Sequence, residues 1–174
     1  MRPRRSWKQR RRLSDPIEEN VAFGNTESRI AIAGHPIHAM MVAFPIALCF
    51  ATLGADAMYW LTGDTFWPRV ALWSAGVAFG VGVLAGIAGT IELLIVPGIR
   101  IRSASWTHFI LAVMLLSVLG LNWGFRLDDH VAAVLPWGAL ISALGAGMTG
   151  ITGWHGGKLV FDYQIGTQQD GGGD

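Results

Sequence analysis

The sequence is poor in charge and in cysteine, and both shortages exclude classes of protein. Only 14% of the 174 residues are charged and 52% are hydrophobic, whereas soluble domains have roughly 25% charged residues. The single cysteine, Cys49, cannot form an intrachain disulfide, so cysteine usage does not indicate a redox compartment. The sequence lacks the Cys-x-x-Cys-His motif of covalent haem attachment, and it lacks Walker, Rossmann and serine-nucleophile motifs. No enzyme class is therefore indicated directly.

Long apolar runs take the place of the missing charge. Four runs approach or exceed the ~20 residues that a spanning helix needs, and backbone groups in lipid must be paired internally, which favours helices. The predicted helices cover about 38–61, 70–96, 107–124 and 131–152. Their short connections favour antiparallel neighbours. The predicted fold is all-α, an integral membrane up-and-down four-helix bundle within 34–160.

Both ends of the sequence differ from this central domain. Residues 1–33 form a basic and polar segment that we expect to be a largely disordered tail near anionic headgroups, and 161–174 are expected to be flexible. The polar stretch that follows the basic residues of the N-terminal segment is not typical of a signal peptide. We expect this segment to contact lipid rather than nucleic acid. With the N-terminus inside, eleven of the thirteen Lys and Arg residues lie on the inner side. The positive-inside rule then predicts that both termini are cytoplasmic.

Four of the five histidines are predicted to lie at one end of the bundle. His35 and His38 precede and open the first helix, His108 opens the third, and His155 closes the fourth. An up-and-down topology places these three helix ends on the same membrane face, the cytoplasmic one. The fifth histidine, His130, belongs to the opposite face.

Neighbouring residues shape this histidine layer. Pro36 suits the first turn of a helix, and Pro45 is expected to kink the first helix just above the layer. Glu92 adds an ionisable group near the inner end of the second helix, where such groups tend to face the bundle interior. The glycines after Trp154 are expected to make a flexible exit from the fourth helix.

Two features outside the layer predict helix packing. Glycines at four-residue spacing in the second and fourth helices let backbones approach closely, although smooth glycine surfaces could also accommodate a flat cofactor. Asp56, about 27 Å along the first helix from His38, is expected near the outer interface as a packing or hydrogen-bonded residue.

Imidazoles gathered in one layer are suited to two kinds of cofactor. A haem b needs two axial imidazoles from different helices, and we expect His38 and His108 to be this pair, with His35 and His155 as a second pair or as hydrogen-bond partners. The haem propionates would need cations, and three lie on the correct side: Arg100, Arg102 and Lys158. A zinc, iron or copper site would instead use three or four nitrogen and oxygen ligands from His35, His38, His108, His155 and Glu92.

The two ends of the central domain carry motifs that resemble a known family. Gly34-His35-Pro36-Ile37-His38, continuing to Phe44-Pro45-Ile46 and Asp56, is similar to the opening of a family of bacterial membrane proteins called domain of unknown function 2231. Trp154-His155-Gly156-Gly157-Lys158-Leu159-Val160 resembles its closing motif. The likeness covers about 34–160 and implies four spanning helices in a bacterial inner membrane. It implies no activity, and its general similarity to small two-haem cytochrome b bundles favours haem by analogy.

Three hypotheses of function follow from these features. The first is a haem-b-binding or redox-active subunit that transfers electrons, with membrane lipids around it and a quinone or a redox protein as partner. The second is a non-haem metal-binding membrane protein. The third is a structural or accessory subunit of a homo-oligomer or membrane complex with no cofactor. Whether the protein is an enzyme stays open.

Overall fold

Four long helices build the protein, in a computed structural model that describes residues 30–32, 35–163 and 165. Each is long and apolar enough to cross a membrane: the first span Ile37–Thr62, the second Phe66–Ile95, the third Ser103–Phe125 and the fourth Val134–Phe161. The four-helix membrane architecture predicted from the apolar runs is thereby confirmed. Most of the predicted N-terminal tail, residues 1–29, lies outside the described residues.

Shorter elements precede and interrupt the spans. The elements in chain order are β1 Ala31–Ile32, β2 His35–Pro36, α1 Ile37–Met41, α2 Ala43–Thr62, α3 Phe66–Ile95, α4 Pro97–Arg100, α5 Ser103–Phe125, a distorted π-turn Val134–Gly138 and α6 Ala139–Phe161. The strands β1 and β2 form a two-residue antiparallel ladder at the entrance to the first span. The first span is therefore α1 followed by α2, and the fourth is the π-turn followed by α6.

The break between α1 and α2 follows from Pro45. Proline has no N–H to donate to the carbonyl four residues earlier, here that of Met41, and its ring crowds that carbonyl. The helix is interrupted at Val42, whose N–H still bonds to the His38 carbonyl at 3.1 Å. The expected distortion by Pro45 is present, but it takes the form of a break that leaves His38 on its own short helix.

The spans pack in a ring with small residues inside and large ones outside. Consecutive spans contact each other, and the fourth closes on the first. The second span turns a stripe of small residues to the centre: Ala71, Ala75, Ala78, Gly82 and Ala85. Large apolar side chains such as Leu84, Ile110 and Leu144 are exposed. Lipid is as apolar as leucine, so bundles of this kind gain stability from close backbone packing rather than from hiding large side chains.

The spans extend beyond the apolar runs that indicated them. The third begins at Ser103 and the fourth continues to Phe161, whereas hydropathy placed these ends at about 107 and 152. The prediction of a flexible glycine exit after Trp154 is wrong, because Gly156 and Gly157 are helical. Glycine is tolerated in membrane helices when neighbouring helices order the backbone. Of the segment 161–174, which is predicted to be flexible, Phe161 is helical and Tyr163 is buried, while 164 and 166–174 lie outside the described residues.

Two connections at the end opposite the histidines are fixed by local bonds. Gly63 ends the first span with a positive φ of 68°, and its N–H bonds to the Tyr59 carbonyl at 2.8 Å; glycine takes this left-handed conformation without steric cost. Between the third and fourth spans, Asp129 Oδ1 accepts the N–H groups of Val131 and Ala132. These donors lower the pKa of the Asp129 carboxyl below its usual value.

Gly76 and Gly80, one turn apart on the second span, test the packing role of glycine. A Cβ at Gly76 would lie 2.7 Å from Trp123 Nε1, whereas at Gly80 it would meet nothing within 4 Å. The Trp123 ring stacks on Phe79 at 6.0 Å, which restricts its escape. We expect Gly76→Ala to destabilise the protein by about 1–3 kcal/mol through overpacking. Gly80→Ala should cost nothing, and thermal unfolding in detergent compares the two; equal melting temperatures would contradict the packing role.

Candidate functional site

His38 lies against the second span in a fixed orientation. Its Nδ1 is 2.8 Å from the Ala85 carbonyl oxygen. A carbonyl can only accept, so Nδ1 carries a proton, and in the neutral ring Nε2 keeps its lone pair. Gly89, one turn further along, leaves room for the ring, because a Cβ there would lie 2.8 Å from His38 Nδ1. The second span therefore positions this imidazole through a backbone carbonyl and a glycine.

His108 faces His38 from the third span. The two ring centroids are 6.4 Å apart, and the ring planes are nearly perpendicular at 80°. Gly156 of the fourth span makes room for His108, since a Cβ there would approach its Cε1 to 3.0 Å. The backbone of Thr152 is also close to the ring, but His108 Nδ1 is buried without a hydrogen bond.

Two buried hydroxyl groups also lack a hydrogen-bond partner, as His108 Nδ1 does. Ser105, one turn before His108 on the third span, is 3% exposed and its Oγ has no hydrogen-bond partner. Thr152 is 7% exposed and its Oγ1 also lacks a partner. Buried polar atoms are hydrogen-bonded in most proteins, and exceptions call for an explanation such as a water or a ligand. The surroundings of His108 are thus polar, buried and incompletely satisfied.

The other two histidines of the predicted layer lie at the same end, in different surroundings. His155, on the fourth span, is partly buried and near enough to His108 to interact with it electrostatically. His35 is exposed on β2, three residues before His38. The structure therefore brings His38 and His108 together, with His155 and His35 at the same end of the bundle. His130 lies in the connection 126–133 at the other end.

The charged residues predicted for the site differ in burial. Glu92 is 8% exposed on the second span, one turn beyond Gly89 on the same face. Arg100 is exposed in α4, and Lys158 is exposed on the fourth span. Arg102 is only 1% exposed, and its Nη1 donates to the Tyr163 carbonyl at 2.8 Å. Of the three predicted cations, Arg100 and Lys158 are thus accessible and Arg102 is held inside the protein.

A buried ion pair closes the opposite end of the bundle. Arg126 Nη1 and Nη2 donate to the two carboxylate oxygens of Asp56 at 2.8 and 2.7 Å, and both side chains are fully buried. Ser142 Oγ donates to Asp56 Oδ2 at 2.6 Å and accepts from Arg126 Nη2, while Arg126 Nε donates to Asn122 Oδ1 at 3.0 Å. The first, third and fourth spans are joined by this network.

Part of this network is predictable from the sequence. Asp56 is hydrogen-bonded, as expected, whereas Arg126 is a connection residue by its local sequence and is nevertheless buried in the ion pair. The signal that could have paired them is their common level: both lie near the end of a predicted helix on the side opposite the histidine layer, where an unpaired charge is costly. The network also differs in kind from the histidine end, because each guanidinium nitrogen of Arg126 already has a partner.

The fold and these sites define an integral membrane protein with four spanning helices, one ion-paired end and one end rich in histidine. The chain belongs to the family described as "Predicted membrane protein (DUF2231)", whose model matches residues 34–169. This confirms the resemblance seen in the sequence. No curated protein and no solved structure matches the chain.

Removing the Asp56 charge should be among the most destabilising changes in this protein. Asp56→Asn leaves the Arg126 guanidinium buried without its counter-ion, which costs about 3–5 kcal/mol for pairs of this kind. The double variant Asp56→Asn with Arg126→Gln removes both charges, so we expect it to recover part of that loss. Chemical unfolding in mixed micelles gives the three free energies of unfolding.

Asp128→Asn is the matched control, because Asp128 is exposed at the same end. It should change the free energy of unfolding by less than about 0.5 kcal/mol. An equal effect of Asp56→Asn and Asp128→Asn would show that the buried pair does not stabilise the bundle.

Proposed function

We propose that the protein is a haem-b-binding membrane subunit that transfers electrons, in which His38 and His108 would hold the haem iron. The observation that carries the proposal is the spacing of their rings. Two imidazoles that bind one metal ion through bonds of about 2 Å have centroids about 6 Å apart when they face each other across it. The His38 and His108 centroids are 6.4 Å apart, on different spans.

The hydrogen bond of His38 supports a ligand role. Metal-binding histidines usually donate their second ring N–H to a carbonyl or carboxylate, which fixes the tautomer and the ring orientation. His38 makes such a bond from Nδ1 to Ala85, leaving Nε2 as the ligand atom. Gly89 and Gly156 let the helix backbone approach the two rings closely.

The number of available donors favours haem over a non-haem metal. Within residues 30–32, 35–163 and 165, no group of three or more His, Cys, Asp or Glu side chains could hold a metal ion. A zinc, iron or copper site made of protein ligands needs three or four of them. A haem iron needs only the axial ligands from the protein, because the macrocycle supplies the others. Arg100 is exposed at this end as a candidate partner for a propionate.

An absorption spectrum tests the proposal. Protein expressed with excess haem and purified in detergent should show a Soret band, with sharp α and β bands after reduction by dithionite. His38→Ala and His108→Ala should each abolish the low-spin spectrum, because each removes one axial ligand. His130→Ala, at the opposite end, is the matched control and should leave it unchanged, as should His155→Ala.

Two outcomes would contradict this assignment. A colourless wild-type protein from haem-replete cells would rule out haem binding. Iron and zinc analysis of that sample would then test the non-haem hypothesis. A low-spin spectrum that survives both His38→Ala and His108→Ala would place the haem on other residues.

We further propose a bacterial inner-membrane location with both termini and the histidine end on the cytoplasmic side. The support is the lysine and arginine distribution. It is strengthened by the burial of Arg126 in an ion pair, which leaves Arg69 as the exposed cation among the described residues of the opposite end.

Cysteine labelling tests the orientation. In a Cys49→Ala background, Asp64→Cys and Arg100→Cys place single thiols at exposed positions on opposite ends of the bundle. A membrane-impermeant maleimide should label Asp64→Cys in right-side-out spheroplasts, and Arg100→Cys only after the membrane is opened. The reverse pattern would place both termini outside.

A further inference from the structure

A cleft with both polar and apolar walls opens between the third and fourth spans at the histidine end. It has a volume of about 150 Å³, several times the roughly 30 Å³ that one water molecule takes up in the liquid. The lining residues are Ser103, Ala104, Thr107, His155, Lys158 and Tyr163. The cleft thus has the size of a small polar group such as a phosphate, and it lies beside the proposed haem ligands rather than between them.

The charge of the cleft is suited to an anion. Lys158 is exposed and makes no ion pair within the described part of the chain. His155 adds a second nitrogen donor, and none of the described lining residues carries a carboxylate. Ser103 contributes a hydroxyl, and it is the first residue of a 23-residue helix, whose N-terminal end carries a partial positive charge.

One wall of the cleft is held by a buried arginine. Arg102 donates to the Tyr163 carbonyl at 2.8 Å, and its guanidinium carbon lies 5.7 Å from the centre of the Tyr163 ring. The chain that follows the fourth span is thereby held against the start of the third. Arg102 is a positioning residue here.

Two tryptophans place the cleft at the depth of lipid headgroups. Trp106 and Trp154 are 40% and 74% exposed on the third and fourth spans, next to the cleft residues in sequence. Exposed tryptophans at the ends of spanning helices lie at the membrane–water interface. The Trp106 ring is fixed there by a 2.8 Å bond from Nε1 to the Arg100 carbonyl. An anion that enters the cleft at this depth is most simply a lipid phosphate.

We propose that this cleft binds the phosphate of an anionic phospholipid, with Lys158 and His155 as the principal donors and Ser103 as the third. Basic pockets between spanning helices are known to recognise headgroups of this class. The proposal does not depend on haem, so it can hold or fail whether or not the protein is a cytochrome.

Native mass spectrometry of delipidated protein in an uncharged detergent tests it. The compounds to be titrated into the protein are dioleoyl phosphatidylglycerol, dioleoyl phosphatidylcholine and inorganic phosphate. The wild type should bind phosphatidylglycerol at least about tenfold more tightly than phosphatidylcholine, and Lys158→Gln should weaken phosphatidylglycerol binding about five- to tenfold, as expected for the loss of one charge-assisted hydrogen bond. Lys158→Arg keeps the charge and should retain most of the affinity.

Arg100→Gln is the matched control, because it removes an exposed positive charge at the same end from a residue outside the cleft. An equal loss of affinity in Arg100→Gln and Lys158→Gln would show general surface attraction and overturn the site. Unchanged binding in Lys158→Gln would overturn it as well. Inorganic phosphate that displaces phosphatidylglycerol at comparable concentration would overturn the lipid as occupant.

Discussion

The ion pair between Asp56 and Arg126 is the interaction on which the arrangement of the spans depends. Two charges buried in an apolar bundle are tolerated only when their geometry is good and their remaining hydrogen-bonding capacity is filled, and here Ser142 and Asn122 fill it. The partners come from three different spans, so the network forms only when these spans are in register. Dispersion between small residues is poorly directional, and the network supplies the specificity that such packing lacks.

The two ends of the bundle differ in how their buried polar groups are paired. The ion-paired end is saturated, with donors and acceptors matched, and has no free group for a ligand in its network. At the histidine end, glycines bring the spans together and leave polar atoms of Ser105, His108 and Thr152 without partners. Unmet hydrogen-bonding groups are costly in a membrane. Among the described residues, the buried polar side-chain atoms without a partner all lie at the histidine end, which is why that end is the one proposed to hold a ligand.

The fold could be predicted from the sequence because runs of about 20 apolar residues admit only helices in lipid. Since consecutive spans run in opposite directions, the order of the helices also decides which helix ends lie on the same side of the membrane. The sequence was insufficient for positions set by long-range partners. Arg126 is a loop charge by local pattern, and only the position of Asp56, 70 residues away, makes it a buried one. The end of the fourth span was missed for a similar reason: glycines favour a helix end locally, but packing against His108 orders them. The His38–Ala85 bond, which fixes the tautomer, has no sequence signal at all, because its acceptor is a backbone atom.

The proposed haem ligands and the proposed lipid cleft meet at His155. This residue lines the cleft, and it is also within electrostatic reach of His108. Charges interact strongly where the effective dielectric constant is low, so a phosphate bound beside Lys158 and His155 would offset positive charge close to His108. The reduction potential of an iron depends on the charge and hydrogen bonds around its ligands. If both proposals hold, bound lipid would act on the proposed haem site electrostatically through His155, without a change of fold.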